Sequence, residues 1–209
     1  MNRTNDNPEE VIEWAVARRA RPGEQVSGDE YLVKRVPHGV FVAVVDGLGH
    51  GQEATTAAKA AIDSLERNAH RTIISLVDNC HDALRETRGA VVTMASINAL
   101  DHTVTWMGIG NVEGVLIRQT STSSRHQESV LLRGGVVGYH LPTLRASIIK
   151  IRSGDVLILA TDGIRSGFAD ELSAREHVAQ LADRILQHHF KGTDDALVLV
   201  VRYQGLRHE

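Results

Sequence analysis

The chain has 209 residues and a formal net charge of -3, a balance without the basic footprint that a nucleic-acid partner requires. Its 42% hydrophobic and 23% charged residues are those of an ordinary globular protein. Its length fits one domain, and its one cysteine, Cys80, excludes an intramolecular disulfide and argues against a thiolate zinc site. That cysteine usage suits a reducing compartment. No apolar run reaches the ~20 residues that span a bilayer. The polar start, Met1 to Glu10, lacks the apolar centre of a signal peptide. The expectation is a cytoplasmic chain with neither nucleic acid nor membrane as partner.

Val16–Ala20 and Tyr31–Val36 read as strands. Val40–Val45 (VFVAVV) is a continuous β-branched run, which predicts a buried central strand. It enters the turn Asp46-Gly47-Leu48-Gly49-His50-Gly51, where glycines permit positive φ. Gln52–Asn68 predicts a helix, with Ala57, Ala60, Ala61, Ser64 and Leu65 on one close-packing face. Thr72–Glu86 predicts a second helix, with Ile73, Leu76, Val77, Cys80 and Leu84 on its stripe, so that Cys80 reads as a small buried hydrophobe. Strands follow at Ala90–Leu100, Thr103–Ile109, Gly114–Gln119, Ser129–Arg133 and Ser147–Arg152, with Ser121–Gln127 as a polar surface loop. The short links predict antiparallel neighbours. Asp155–Ala160 and Ala196–Val201 are two more buried strands, on either side of a helix at Ala174–Phe190. This order predicts packed sheets flanked by helices and disagrees with a doubly wound parallel sheet.

Three of the most apolar strands meet acids at chain reversals. Val40–Val45 ends at Asp46, Asp155–Ala160 ends near Asp162, and Ala196–Val201 is preceded by Asp194 and Asp195. Ends of buried strands are fixed in space, so their carboxylates can be held together rigidly. Crowded carboxylates repel and take up protons. A hard divalent cation with oxygen ligands (magnesium, calcium or manganese) relieves that conflict. A pair of such ions can activate water and clamp an in-line displacement at phosphorus. Taken singly, Asp46-Gly47 and Asp162-Gly163 read as common turns, and Asp194-Asp195 as an exposed loop pair. Gly47 to Gly51 also imitates a dinucleotide fingerprint, but Gln52 stands where the third glycine belongs and no parallel βαβ unit follows.

The ordered set Ser27-Gly28-Asp29, Asp46-Gly47-Leu48-Gly49-His50-Gly51, Thr161-Asp162-Gly163 and Asp194-Asp195 resembles the metal-dependent protein phosphatases of type 2C. It looks most like their SpoIIE-type branch, for which the DGxGHG run is distinctive, and the resemblance spans residues 13–203. It implies an α+β fold, an αββα sandwich of two mainly antiparallel β-sheets packed face to face with helices on the outside. The implied domain fills residues 1–209, without a regulatory domain. The implied activity is direct, metal-dependent hydrolysis of phosphoserine and phosphothreonine, with two divalent cations, manganese or magnesium. By similarity Asp46 bridges the ions, the Gly47 carbonyl ligates one of them, and Asp162 and Asp194 hold the other. Asp29 sits beside them as a catalytic or metal contributor, and Asp195 is the fallback for Asp194.

Chain size and Met107-Gly108-Ile109-Gly110-Asn111 are similar to a narrower group of stand-alone stressosome phosphatases. That likeness implies phosphorylated STAS-domain scaffold proteins of the stressosome (RsbR and RsbS types) as partners, and a role in resetting stress signalling. The alternatives are a phosphatase of an anti-sigma-factor antagonist and a catalytically silent binding module. Oligomeric state stays open, with a monomer favoured. Some residues depart from the pattern. Arg18, Arg19 and Arg21 lie near the place where the wider family keeps a phosphate-holding arginine, yet match no motif. Leu48 takes the slot of a histidine that animal members use. That leaves His50 as an orienting group for the turn, and Asn111 with a local turn role.

Overall fold

The computed structural model describes residues 11–119, 127–170 and 172–205. The elements, in order, are β1 (Ile12–Arg19), β2 (Asp29–Val36), β3 (Gly39–Gly47), α1 (Gly51–Asn68), α2 (Ile73–Leu84), β4 (Ala90–Asn98), β5 (Thr103–Ile109) and β6 (Glu113–Ile117). They continue as β7 (Gln127–Ser129), β8 (Leu132–Arg133), β9 (Ser147–Lys150), β10 (Val156–Ala160), α3 (Val178–His189) and β11 (Ala196–Tyr203). One sheet has the order β1-β11-β10-β6-β7. The other has the order β2-β3-β4-β5-β8, with β9 also on β5. The loop expected at Ser121–Gln127 lies outside the described residues, apart from Gln127, which opens β7.

The unbroken apolar runs have a plain cause: their strands are covered on both faces. In β3, Val42 and Val44 face the space between the sheets, while Phe41, Ala43 and Val45 lie under α1 and α2. In β10, Leu157 and Leu159 face inward, and Val156, Ile158 and Ala160 pack beneath α3. β11 repeats the pattern, with Leu197, Leu199 and Val201 inward and Val198 and Val200 outward. Period-2 alternation across three apolar layers yields the αββα sandwich that the sequence predicts.

The helices divide the outer faces. Ala54, Ala57, Ala58 and Ala61 of α1 are buried, and their small side chains let the helix lie close on its sheet; Ala60, expected on that face, is only half-buried. The stripe of α2 is the expected one, with Ile73, Leu76, Val77, Cys80 and Leu84 all buried. Burial pushes the Cys80 thiol up to about 12, which leaves it protonated and inert.

Three local expectations change. Ser129–Arg133 is not one strand: Val130 N still bonds Gly114 O of one sheet, whereas Leu132 and Arg133 join β5 of the other. The β5–β8 pair is parallel, because β6 and β7, which lie between them in sequence, belong to the opposite sheet. The last helix starts at Val178 rather than Ala174. The Arg202 guanidinium binds the carbonyls of Ala174 and Glu176, so those acceptors are taken outside a helix. His177 Nδ1 then caps the helix by accepting from Ala179 N.

Candidate active site

Antiparallel pairing brings the acidic motifs to one end of the sandwich. Asp29 opens β2 directly opposite Asp46 near the end of β3. In the other sheet, Asp162 follows β10 and Asp194 precedes β11, and these strands pair with Ala160 opposite Val198. Asp46, Asp162 and Asp194 line one cavity of about 530 Å3, together with Arg21, His50 and Asn111. A second depression of about 540 Å3, beside Phe168 and Arg184 of α3, contains none of the motif residues.

Two acids stand behind the cavity and do different work. Asp29 is 1% exposed, and its Oδ2 accepts from Thr161 Oγ1 at 2.7 Å. Thr161 Oγ1 in turn accepts from Leu197 N at 2.8 Å, so this side chain ties the two sheets together beneath the site. Asp195 is buried and does not line the cavity. Its Oδ1 accepts from Arg21 N at 2.8 Å and its Oδ2 from Gly28 N at 2.7 Å. Both oxygens therefore hold the β1–β2 connection, and Asp194 is the member of the pair that faces the cavity.

The motif glycines answer to space more than to φ. A Cβ on Gly47 would meet the Ala54 carbonyl oxygen at 2.1 Å, and one on Gly163 would meet the Asp195 carbonyl oxygen at 1.8 Å. Positive φ, which the turn's glycines permit, is adopted by Gly49 and Gly51 and not by Gly47. Gly47 N donates to Gly28 O and Leu48 N to Gly89 O, both at 3.0 Å, which stitches the turn to its neighbours. Glycine at Asp46-Gly47 and Asp162-Gly163 lets backbone lie on backbone behind each acid.

Charge crowding is visible in the carboxyl groups. Burial, then the charges of Asp162, Asp194 and Asp195, pushes Asp46 from 3.8 up to about 7. Burial and the neighbouring Asp46 hold Asp29 well above its ordinary value against the opposing Thr161 hydrogen bond. Asp162 is raised by burial and by Asp194. Among the described residues no three His, Cys, Asp or Glu side chains stand close enough to cage an ion unaided. The donor chemistry fits a hard divalent ion nonetheless: the facing side chains are carboxylates short of positive compensation. Magnesium keeps several waters and needs only one or two carboxylates.

This electrostatics predicts a pH dependence. In the unfolded chain Asp46 ionises near 3.8, whereas in the folded, metal-free chain it holds its proton to about 7. Its contribution to stability is present below about 4 and is lost as pH rises through about 7. A cation that binds the ionised site would reverse that loss. Thermal melts should therefore show a small rise in Tm on adding manganese at acid pH and a larger one above neutrality. An equal rise at both would contradict the assignment.

The remaining polar groups were only partly legible in advance. His50 Nδ1 contacts Glu24 Oε1 at 3.0 Å, joining the turn to the β1–β2 connection. Asn111 does not serve its own turn as expected: its Nδ2 donates to Asp162 Oδ2 at 2.7 Å, a brace across 51 residues of chain. Of the three arginines considered, only Arg21 lines the cavity. Arg18 pairs with Glu30, and Arg19 lies over the Phe190 ring at 5.1 Å. The signal for Arg21 was its place two residues past β1, but nothing local distinguished it from its neighbours.

A two-sheet sandwich with helices outside and acids at one end defines the PP2C-type phosphatase domain. The family model described as Stage II sporulation protein E (SpoIIE) matches residues 37–204, and the chain belongs to that family. A curated relative, phosphoserine phosphatase RsbX of Bacillus subtilis (strain 168), is 30% identical over 107 residues, 51% of this chain and 54% of that protein. The match thus spans about half the length of that relative. A structure from work on "The bacterial stressosome: a modular system that has been adapted to control secondary messenger signaling" aligns at TM-score 0.82 and 32% identity, over 92% of this chain and 100% of the other. RsbX in complex with magnesium aligns at TM-score 0.84 and 22% identity, over 97% and 99% of the two chains. The Mycobacterium tuberculosis serine/threonine phosphatase PstP/Ppp shares the fold at TM-score 0.72 and 17% identity, over 93% and 99%. No described helix is long and apolar enough to cross a membrane.

Proposed function

We propose that the chain is a divalent-metal-dependent phosphatase of phosphoserine and phosphothreonine, acting on STAS-domain scaffold proteins of a stressosome and so resetting stress signalling. The observation that carries this reading is the convergence of Asp46, Asp162 and Asp194 with Arg21 on one cavity. The substrate class is supported by the likeness to RsbX and to the stressosome structure. Retention of every motif acid speaks for turnover rather than for a silent binding module.

Asp46, Asp162 and Asp194, with the Gly47 carbonyl, would hold manganese or magnesium. When bound, the ions supply water activation and compensation of charge at phosphorus. The chain's own groups do the positioning. The Arg21 guanidinium receives phosphoryl oxygens, to which a planar fork of donors is matched. Asp195 fixes the Arg21 main chain, Asn111 orients Asp162, and Thr161 orients Asp29. The described residues lining the cavity include no serine, threonine or cysteine, in keeping with direct hydrolysis rather than transfer to such a nucleophile.

Charge-assisted hydrogen bonds contribute about 1.5–3 kcal/mol. Arg21→Ala should therefore lower kcat/KM by about 10- to 100-fold while manganese affinity stays unchanged. Steady-state kinetics on p-nitrophenyl phosphate beside a manganese titration checks both halves. For the function itself, the manganese-loaded protein should release phosphate from a radiolabelled, phosphorylated STAS-domain protein, and EDTA should stop it. Release that persists in EDTA overturns the metal dependence. Tight binding with no release under manganese overturns the catalytic reading.

A further inference from the structure

Residues 134 and 136 form part of the cavity wall, through Gly134 and Val136. The chain then makes a tight turn. Val136 N bonds His140 O, and His140 N bonds Val136 O, both at 2.8 Å; Tyr139 N reaches Val136 O at 3.1 Å. This turn is clamped from below. Val137 is fully buried and exchanges hydrogen bonds with Ala90, at 2.8 and 3.0 Å. Gly138 N donates to His81 Nδ1 of α2 at 2.9 Å. Gly138 itself has φ +98, and a Cβ there would meet Leu84 Cβ at 2.7 Å. The main chain on either side of the next residue is thus held in place.

That side chain is Tyr139, 86% exposed. Its ring gains nothing from the fold, and its main chain is bonded to a residue of the cavity wall. Tyrosine presents a large amphipathic surface at low entropic cost, the property that makes it common at the energetic centres of interfaces. We propose that Tyr139 is a substrate-docking residue, packing against the chain that flanks the phosphorylated serine or threonine of a folded phosphoprotein. The proposal rests on the phosphatase reading and deepens it. A phosphoresidue seated in the cavity must lead its flanking chain out past the wall, and Tyr139 lies three residues along from Val136 of that wall and is bonded to it. A small phosphate ester fills only the cavity and has no chain to lay on the ring.

The test compares wild type and Tyr139→Ala, under manganese, on a phosphorylated STAS-domain protein and on p-nitrophenyl phosphate. The expected result is a kcat/KM lower by about ten-fold or more on the phosphoprotein, carried mainly by KM, with hydrolysis of the small ester unchanged. An equal fall on both substrates, or no fall on either, overturns the proposal. Binding of the same phosphoprotein to both proteins, read by calorimetry in EDTA so that no hydrolysis occurs, decides the matter independently of turnover. Weaker binding by Tyr139→Ala supports the docking role, and equal binding overturns it. A wild type that binds the phosphoprotein through Tyr139 yet hydrolyses neither substrate would sink the phosphatase reading alone.

Discussion

Asp46→Asn is expected to lower manganese-dependent hydrolysis by about a thousand-fold or more, roughly 4 kcal/mol of transition-state stabilisation. Asparagine keeps the size and shape of the side chain and removes the charge. The carboxylate sits where strand β3 runs out beside the cavity, with Asp162 and Asp194 also facing it. The same change should raise the stability of the metal-free protein above neutrality. Ionised Asp46 is disfavoured in the fold, as its shift to about 7 shows, and a neutral amide escapes that penalty. Lost turnover with a raised Tm in EDTA at alkaline pH separates removal of a metal-holding charge from simple misfolding. A variant that keeps its activity would remove Asp46 from the centre of the site.

The adjacent acids Asp194 and Asp195 should part company. Asp195→Ala orphans two main-chain donors, Arg21 N and Gly28 N, which now reach the carboxylate at 2.8 and 2.7 Å. A buried donor left without an acceptor costs about 1–3 kcal/mol; Gly28 N is buried and Arg21 N part-buried, so the two together lose about 2–5 kcal/mol. For a chain of this length that corresponds to a fall in Tm of roughly 4–20 °C. Asp194→Ala removes a half-buried side chain whose Oδ1 accepts from the main chain of the next residue, Asp195 N. It should leave Tm within a few degrees of wild type, about 2 °C by the same scaling, yet depress manganese affinity and hydrolysis. Melts in EDTA and kinetics in manganese on both variants check the contrast. The reverse pattern would exchange their roles.

The fold was legible because the strand pattern carries two messages at once. VFVAVV at Val40–Val45 and LVLVV at Leu197–Val201 lack the polar alternation of a half-exposed strand, which means cover on both faces. Short links between most strands then favoured antiparallel neighbours over a doubly wound sheet. What escaped was set by long-range partners. Residues 129–133 look like one strand, but the chain changes sheets at Val130 and Leu131, a step fixed by Gly114 on one side and Gly108 on the other. The start of α3 was displaced by Arg202, which lies far along the chain.

The site shows the same division. Asp46, Asp162 and Asp194 were readable because each abuts an apolar strand in an ordered motif. The function of Gly47 and Gly163 as contact points was hidden, since glycine before a turn and glycine under a crossing backbone look alike in sequence. Asn111 reads locally as a turn residue, but its partner is Asp162, which follows β10, the strand paired with β6 far along the chain. Arg21 was one arginine among three until the connection held by Asp195 placed it at the cavity. The order of the acids could be read directly, whereas their supports depend on which strands become neighbours.

The most direct test of the metal-centred site is manganese uptake by calorimetry at a pH just below 7, with proton release measured in buffers of different ionisation enthalpy. Wild type should bind manganese and release protons as Asp46, which ionises at about 7 in the metal-free protein, gives up its proton to the site. Asp46→Asn should lose tight binding together with that release. Unchanged affinity and unchanged proton release in Asp46→Asn would contradict a cation held by the acids at this end of the sandwich.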